Sequence, residues 1–502
     1  MSLSRRNFLK LASLVAAGAT VSACQPLYAK IGGPVETLSQ SPTPLLPSLD
    51  FTALSRLTFG PRLSERQRVA EIGLPNWIEE QLTPENIDDS PLDWRLRDFD
   101  VLKLDAATLS DLGDALFDGI QPDNVVNPFK QATLLRQVYT QRQLYEVMVE
   151  FWTDHFNISI NKGDCWYLKI IDDRAVIRPH AFGNFRDLLH ASAKSPAMLV
   201  YLDNQVNEAL APNENYAREV MELHTLGVNG GYTQNDVMEL ARCLTGWGIK
   251  FDLGLGRGEF KFNQDFHDLE PKTILGTRIE PGGMAEAEQV LDIFAAHPST
   301  ARFIATKLVR RFIADDPPPE LVNRAADTFL QTDGDIKSVL RTILLNGNPW
   351  TFLQPKFKRP TTFLVSALRM LNAETDGGEP LQQALTQMGQ AYYEWPTPDG
   401  PPDTTADWQG NLLHRWKFAL ALARNELEGT KLDTENLLQL TGATDIESFT
   451  EQVSPLLLGS PLPAGIRKEM SVALRRAGAS DTTESASAVV AGLIASPAFQ
   501  WR

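Results

Sequence analysis

Cysteine is scarce in this chain. Only Cys24, Cys165 and Cys243 occur among its 502 residues, which is too few for the disulfide framework typical of small secreted domains. Cys243 lies in a helical pattern of apolar residues, so we expect it to be a small buried side chain. The fold must therefore depend on a packed core.

Clustered basic residues and long apolar runs are also missing. The formal net charge is -16, and a surface this acidic argues against nucleic-acid binding, which needs grouped Lys and Arg. It also argues against broad docking onto anionic lipid. After the first 25 residues, no apolar run reaches the roughly 18–20 residues that span a bilayer. Nucleotide-binding glycine motifs, H-E-x-x-H, C-x-x-C and G-x-S-x-G are likewise absent.

What remains is the pattern of a helical globular protein. The hydrophobic fraction is 43% and the charged fraction 22%, which is ordinary for such proteins. Apolar residues recur at 3-4 spacing along most of the chain, for example over 129–156, which predicts one long helix there. We expect a mainly α multi-helix bundle with one small β-hairpin near 249–262.

The N-terminus has the features of an export signal. Arg5 and Arg6 stand in the run SRRNFLK, and a short apolar segment follows over 11–23. This resembles a twin-arginine (Tat) signal, which implies passage through the Tat translocase and an extracytoplasmic location, periplasmic or at the cell surface. The alternative is a chance Arg-Arg pair in a general secretory signal.

Cys24 follows directly in the sequence VSAC, which resembles a lipobox. Cleavage before Cys24 and lipidation would anchor the protein firmly to a membrane; the alternative is ordinary cleavage after Ala23. Residues 24–49 are rich in proline and predict an extended tether. We thus expect a signal peptide over 1–23, this tether, and one large helical domain over 50–502, with a possible C-terminal helical subdomain from about 411.

The most polar helical stretch is PNENYAREVMELHTLG, residues 212–227. At about 100° per residue, its three glutamates and its arginine share one side, and His224 falls in the opposite, apolar arc. Such carboxylates can act as acid and base if their environments differ. The alternative is a solvated face, whose i,i+4 ion pairs are worth only about 0.3–0.5 kcal/mol each. The catalytic candidates are Glu214, Glu219, Glu222 and Arg218.

A divalent metal is a possible cofactor of this region. The asparagines and aspartate before the stretch, from Asp203 to Asn213, offer oxygen ligands that suit Ca²⁺ or sugar hydroxyls. Carboxylates and histidines from several helices can jointly hold a metal. The candidate ligands are His155, His267, Asp268 and Asp203. The alternatives are a core histidine at His155 and a polar loop pair at His267-Asp268.

Several separated motifs occur in one order along the chain: RLTFGP (56–61), FWTDHF (151–156), FGNFRDLL (182–189), PAMLVYLDN (196–204), PNENYAREVMELHTLGVNGGYTQ (212–234), LARCLTGW (240–247), FHD with KTILG (266–276) and HPSTARFIATKL (297–308). Together they resemble one bacterial family, domain of unknown function 1800 (DUF1800). The resemblance covers about 50–500 and implies Tat export, a mostly helical body and an extracytoplasmic site. It implies no particular reaction. Thr153-Asp154 stand where some relatives have His-Asn.

Two functions fit these observations. One is a lipid-anchored hydrolase that uses carboxylates, with or without a metal, on an envelope or environmental polymer. Trp395 and Trp408, in a loop rich in proline and aspartate, would be exposed there and stack on sugar rings. The other is a non-catalytic surface lipoprotein that binds an envelope protein or polysaccharide partner, or scaffolds an envelope complex.

Overall fold

The structure is a computed structural model that describes residues 47–113, 122–250, 256–476 and 482–502. Arg5, Arg6 and Cys24, with most of the predicted tether, lie outside these residues. Within these described ranges helices dominate and the strands form only short two-stranded pairs, so the mainly α prediction is confirmed. In the described parts of the chain, no helix has the length and apolar character required to cross a membrane.

The chain forms two compact units, and neither is continuous in sequence. The central unit comprises 78–354 and 390–403, and the terminal unit comprises 47–77, 355–389 and 404–502 in the described chain. We call 390–403 the return loop, because it belongs to the central unit although the terminal unit flanks it in sequence. The prediction of one domain over 50–502 with a subdomain from about 411 stays a prediction.

Of the elements before residue 355, the first two belong to the terminal unit, the third crosses the boundary between residues 77 and 78, and the others belong to the central unit. In chain order they are α1 (Leu49–Leu57), α2 (Leu63–Ile72), α3 (Leu74–Gln81), α4 (Ser90–Leu96), α5 (Ala106–Gly113), α6 (Asp123–Tyr139), α7 (Gln143–His155), α8 (Cys165–Asp172), α9 (Arg178–His180), α10 (Phe185–Ala193), α11 (Pro196–Tyr201), α12 (Glu214–Glu219), α13 (Gln234–Cys243), β1 (Trp247–Ile249), β2 (Phe260–Phe262), β3 (Lys272–Ile274), β4 (Thr277–Ile279), α14 (Met284–Ala295), α15 (Pro298–Phe312), α16 (Pro319–Gln331) and α17 (Ile336–Leu344).

The remaining elements belong to the terminal unit. They are α18 (Pro360–Met370), β5 (Glu374–Thr375), α19 (Glu379–Gln387), α20 (Thr405–Trp408), α21 (Leu412–Ala423), β6 (Thr430–Lys431), α22 (Thr434–Thr441), α23 (Ile446–Leu458), α24 (Ala464–Arg476) and α25 (Thr482–Ala495). Short 3-10 turns and two π-helical turns, Asp173–Ile177 and Val220–His224, join some of these helices.

The long helix predicted over 129–156 is wrong, because it is divided into α6 and α7. Thr140 has an extended backbone between them. Its hydroxyl donates to Asp89 Oδ2 (2.6 Å), and the Gln141 amide donates to Asp89 Oδ1 (2.8 Å). A carboxylate from a distant segment thus satisfies the polar groups that a helix break exposes. The spacing of apolar residues within 129–156 gives no indication that Asp89 binds at this position.

The predicted hairpin near 249–262 is confirmed. β1 and β2 pair antiparallel, with Trp247 opposite Phe262 and Ile249 opposite Phe260. Two further short pairs, β3–β4 and β5–β6, occur in addition. These strands have only two or three residues each, too few for a readable alternation of apolar and polar positions.

Helix α7 carries large apolar side chains into the core of the central unit. Trp152 is fully buried, and its indole Nε1 donates to the Ala181 carbonyl (3.1 Å). Its ring contacts Phe156 and Phe185, with centroids 6.2 and 5.9 Å away. This aromatic cluster fixes the C-terminal end of α7, where the functional candidate His155 stands.

Candidate functional site

The polar stretch that the sequence favours is only partly α-helical. Asn213 caps α12 by accepting a hydrogen bond from the Asn215 amide (2.9 Å). After Glu219 the helix widens into the π turn Val220–His224. The α-helical angles predicted for this stretch therefore apply only as far as Glu219. Single π turns inside helices are rare and are frequent at functional sites.

The asparagines before α12 have a structural role. Asn204 donates to the Leu244 and Trp247 carbonyls (3.3 and 3.0 Å), and Asn207 donates to the Ala241 carbonyl (2.9 Å). Both are buried, with exposures of 1% and 2%. Their side chains hold the loop against its neighbours, and this differs from the predicted set of oxygen ligands facing a cation or a sugar.

Two of the four catalytic candidates pair with each other. Arg218 donates to Glu214 Oε2 (2.9 Å) and to Gln234 Oε1 (2.9 Å), and Gln234 donates in turn to Glu214 (2.6 Å). Both side chains of the ion pair are more than a third exposed. The arrangement is that of a solvated helix face, the alternative that the sequence left open for this stretch.

Glu219 has a different environment from Glu214. It is half-buried, and burial, followed by the charges of Glu222 and Asp399, raises its pKa above the usual carboxyl value, against the opposing effect of Arg218. A carboxyl group in this state keeps its proton to higher pH and can donate it. The Tyr232 hydroxyl lies 3.4 Å from Glu222 Oε2.

Asp399 comes from the return loop, which is bound to the helices of the central unit. The Asn157 amide donates to the carbonyls of Trp395 (3.1 Å) and Thr397 (2.8 Å). The Tyr201 hydroxyl donates to the Pro396 carbonyl (2.9 Å). Of the residues in these hydrogen bonds, the sequence analysis named only Trp395, and together the bonds fix the segment that carries Asp399.

A glycine allows the return loop to approach α7 closely. Gly400 has a φ of +73°, and a Cβ added there would lie 2.1 Å from the backbone oxygen of Asp154. Any other residue would be strained by its backbone angle and would clash with this oxygen. The close approach places Asp399 and Asp403 where their charges act on Lys307 of α15.

Lys307, which is part-buried, forms a polar group with the buried residues His155 and His224. Lys307 Nζ donates to His155 Nδ1 (3.0 Å), and His155 Nε2 donates to the His224 carbonyl (3.1 Å). The ring centroids of the two histidines are 6.0 Å apart. Both rings are buried, and no described residue accepts from or donates to either ring nitrogen of His224.

Burial shifts the titration of all three groups. Burial and the charge of Lys307 lower the pKa of His155 well below its usual value and that of His224 to about 3. Burial lowers the pKa of Lys307 to about 8, although Asp154, Asp399 and Asp403 favour the ammonium. A low-dielectric site disfavours each cation in this way.

His155 has no free lone pair for a metal. Its Nδ1 accepts from Lys307 and its Nε2 carries the proton that bonds the His224 carbonyl. The structure therefore places His155 as a buried hydrogen-bonding residue, and its predicted role as a metal ligand does not fit this geometry.

The other predicted metal ligands have partners of their own. Asp203 accepts from Lys162 Nζ (2.7 Å). Asp268 accepts from Arg242 Nε and Nη2 (2.7 and 3.0 Å), so the neighbouring His267 does not orient it. Over the described ranges, no three His, Cys, Asp or Glu residues form a group with metal-binding geometry. The four predicted ligands are thus not brought together.

His267 belongs to a buried charge network. Its Nε2 lies 3.0 Å from Glu286 Oε1, and Lys272 Nζ donates to Glu286 Oε2 (2.5 Å). All three side chains are fully buried. This network ties the loop after β2 and strand β3 to the start of α14, which is a structural function.

Sequence reasoning missed Lys307 and Asp399. Lys307 lies four residues after Phe303 on α15, so the two share one side of the helix; its Nζ lies 5.5 Å from the Phe303 ring centroid. The spacing of four residues between a phenylalanine and a lysine in a helix could have identified Lys307 as a candidate. Asp399 had no comparable signal, since its role depends on where the return loop lies.

The two tryptophans expected to be exposed differ. Trp395 is part-exposed, and its indole Nε1 donates to Thr397 Oγ1 (3.1 Å). Trp408 is 7% exposed and is part of the terminal unit, so its predicted exposure is wrong.

A cavity of about 620 Å³ lies in the terminal unit, between α21, α22 and α25. None of the predicted site residues lines it.

Comparison with known proteins identifies the family but no activity. A model of the family described as "Protein of unknown function (DUF1800)" matches residues 52–501. The chain therefore belongs to the DUF1800 family, as its motifs indicate. No curated protein matches the chain, and no solved structure does.

Proposed function

We propose that this chain is a hydrolase, exported by the Tat translocase and anchored to a membrane by lipid at Cys24, that cleaves an envelope or environmental polymer. It would act on the periplasmic or cell-surface side. The acid is Glu219, and no step of the proposal passes through a metal.

The observation that carries the proposal is the state of Glu219. Its half-buried carboxyl group stands near the negative charges of Glu222 and Asp399, which favour its protonated form. A hydrolase needs a group that protonates the leaving atom, and carboxyl groups with raised pKa values perform this step in water at neutral pH. Glu214 has no such role, because Arg218 pairs with it.

The site also has a surface suited to a polymer. Part-exposed Trp395 stands four residues before Asp399 in the return loop, and an aromatic face beside a carboxyl group can stack on a sugar ring. The Tyr201 hydroxyl, bonded to this loop, keeps its proton because burial raises its pKa to about 12.

The test compares the full-length chain with Glu219→Gln. Both proteins, purified in detergent, are incubated with peptidoglycan, polysaccharides and polyesters, and released fragments are measured by mass spectrometry. Glu219→Gln should lower kcat/KM at least ~100-fold, the usual contribution of a general acid. Exposed Glu208 gives the matched control, because Glu208→Gln removes the same charge from a nearby loop and should change nothing.

If none of these polymers is hydrolysed, or if Glu219→Gln is fully active, the proposal is refuted.

One observation favours the alternative of a binding lipoprotein. Leu210 and Phe266 are 98% and 47% exposed on loops joined by the hydrogen bond from the Ala209 amide to the Phe266 carbonyl (2.9 Å). If they bind a partner, Leu210→Ser should abolish capture of an envelope protein or polysaccharide that the Glu219→Gln variant still captures.

A further inference from the structure

Two loops of the central unit expose apolar side chains to solvent. Leu210 lies on the loop before α12 and is 98% exposed; Phe266 and Leu269, on the loop after β2, are 47% and 61% exposed. The Ala209 amide donates to the Phe266 carbonyl (2.9 Å), which joins the two loops beside Leu210. We call residues 208–211 and 264–270 together the two-loop surface.

Hydrogen bonds hold the first loop in one shape. At its base, the buried Asn207 side chain donates to the Ala241 carbonyl of α13 (2.9 Å). The Ala211 amide donates to the Glu208 carbonyl (3.0 Å), so Leu210 lies in a closed turn. A side chain on a turn that is already fixed loses less freedom when it binds, which favours affinity.

The second loop is fixed as well. Asn263 Oδ1 accepts from the Asp265 amide (3.1 Å) and caps the 3-10 turn that ends at Phe266. The next residue, His267, is fully buried against Glu286. Phe266 thus lies between a capped turn and a buried residue.

The acids of the two-loop surface lack cationic partners. Glu208, Asp265 and Glu270 are exposed, and none of them forms an ion pair with a residue of the described ranges. Asp268 differs, because Arg242 donates to it at 2.7 and 3.0 Å. The two-loop surface itself contains no Lys or Arg. Three uncompensated carboxylates therefore stand within two residues of the three exposed apolar side chains.

These charges select the kind of partner that fits. A second copy of this chain has the same acids and a net charge of -16, and anionic lipid is also negative, so like charges would meet. Neutral lipid or sugar would leave the carboxylates uncompensated. A segment with Lys or Arg beside apolar residues covers Leu210 and Phe266 and also neutralises the acids around them.

We infer that the two-loop surface is a docking site for a basic, amphipathic segment of another protein. Leu210 and Phe266 supply the apolar contacts, and Glu208, Asp265 and Glu270 supply the charged ones. The inference goes beyond the proposed hydrolase and does not rest on it, because neither Glu219 nor the return loop takes part.

The first test uses a synthetic helical peptide with leucine on one face and lysine on the other. The full-length chain is held on a biosensor surface, washed free of detergent, and peptide binding is measured. Leu210→Ser should weaken binding at least ~10-fold. Glu208→Gln combined with Asp265→Asn and Glu270→Gln should weaken it similarly and reduce its dependence on salt. A peptide with glutamate in place of lysine should not bind.

Helix α16 and the residues before it offer matched controls within the central unit. Leu330 is 42% exposed, and Asp316, Glu320 and Asp327 are exposed acids. Leu330→Ser removes an exposed leucine, and Asp316→Asn combined with Glu320→Gln and Asp327→Asn removes three charges, both away from the two-loop surface. Neither control should change the affinity for the peptide. Equal melting temperatures of all variants check that they are folded.

The second test identifies the partner in the cells that produce the protein. A photo-crosslinking amino acid replaces Leu210 or, as the control, Leu330, and the cross-linked segments are identified by mass spectrometry. From position 210 we expect a protein segment with Lys or Arg next to apolar residues. The combined Glu208→Gln, Asp265→Asn and Glu270→Gln changes should remove this product, and position 330 should not give it.

Equal affinity of the wild type and Leu210→Ser for the leucine–lysine peptide overturns the inference. Equal weakening by the combined α16 changes does so too, because only the overall charge would then matter. Cross-linking from position 210 to lipid, to a polysaccharide or to a second copy of this chain, in place of a basic segment, also overturns it. Glu219→Gln should bind the peptide as the wild type does, so failure of the hydrolase proposal leaves the docking site unaffected.

Discussion

Replacing Glu286 with Gln should destabilise the central unit strongly. Glu286 is 1% exposed at the start of α14. Its carboxylate accepts from Lys272 Nζ (2.5 Å), from the Gly282 amide (2.8 Å) and, at 3.0 Å, from His267. The variant keeps the shape of the side chain and one acceptor oxygen, so the change is mainly the loss of a buried negative charge.

The expected loss of stability depends on which charges remain around Lys272. Its ammonium is fully buried, and after the substitution its nearest carboxylate is Asp268, at 3.7 Å. Removing one partner of a buried ion pair costs about 3–5 kcal/mol. Because Asp268 compensates part of the charge, we expect a loss of about 3 kcal/mol. Glu259→Gln is the control, since its pair with Lys250 is exposed and such pairs contribute roughly 0–1 kcal/mol.

The stability lost in Glu286→Gln should decrease as the pH falls. Burial raises the pKa of Glu286, but the hydrogen bonds from Lys272, Gly282 and His267 outweigh it, so its pKa lies below the ordinary value. The folded state therefore gains stability from the ionised carboxylate above the unfolded pKa of about 4.3. This stability disappears as pH falls through the lower folded value. The wild type and Glu286→Gln should thus become equally stable in acid.

Hydrogen exchange measured by mass spectrometry on peptides of α14 and β3 reports this local stability, because the two units need not unfold together. Urea unfolding followed by fluorescence gives the global value. A Glu286→Gln variant within about 1 kcal/mol of Glu259→Gln at pH 7 would refute the reasoning. So would a stability difference that does not shrink at low pH.

Three further predictions concern the return loop and the N-terminus. Gly400→Ala should make the loop more sensitive to limited proteolysis, because its φ of +73° and the nearby backbone oxygen disfavour a Cβ, whereas Gly410→Ala, with open space around it, should not. Arg5→Lys combined with Arg6→Lys should block export, and normal maturation of this variant, seen by fractionation, would refute the Tat signal. Cys24→Ala should release the protein from membranes; unchanged fractionation would refute lipidation.

Local sequence features predicted what depends on neighbouring residues. The helical spacing and the hairpin near 249–262 were both predicted, and the structure contains them. The family was readable from its motifs. These features need only a few consecutive residues, and their periodicities and caps are strong signals.

The features that the sequence did not reveal depend on distant partners. Asp89 divides the predicted long helix at Thr140. His155 is the core histidine that the sequence left open as an alternative, but the sequence did not identify its partner Lys307, 152 residues later. No local pattern specifies such pairs, since tertiary packing overrides local preference. For the same reason the acidic face of α12 separated into an exposed ion pair and a half-buried Glu219.

The return loop has a consequence for the order of folding. Asp399 and Gly400 contact or act on residues of α7, α12 and α15, yet the ribosome adds them well after the rest of the central unit. This unit can gain its contacts with the return loop only once the chain has been made beyond 403 and has closed a long loop, a slow step in folding. If the chain crossed a membrane unfolded, segment by segment, the earlier part of the central unit would reach the far side before the return loop. A route that moves the protein after folding would keep them together.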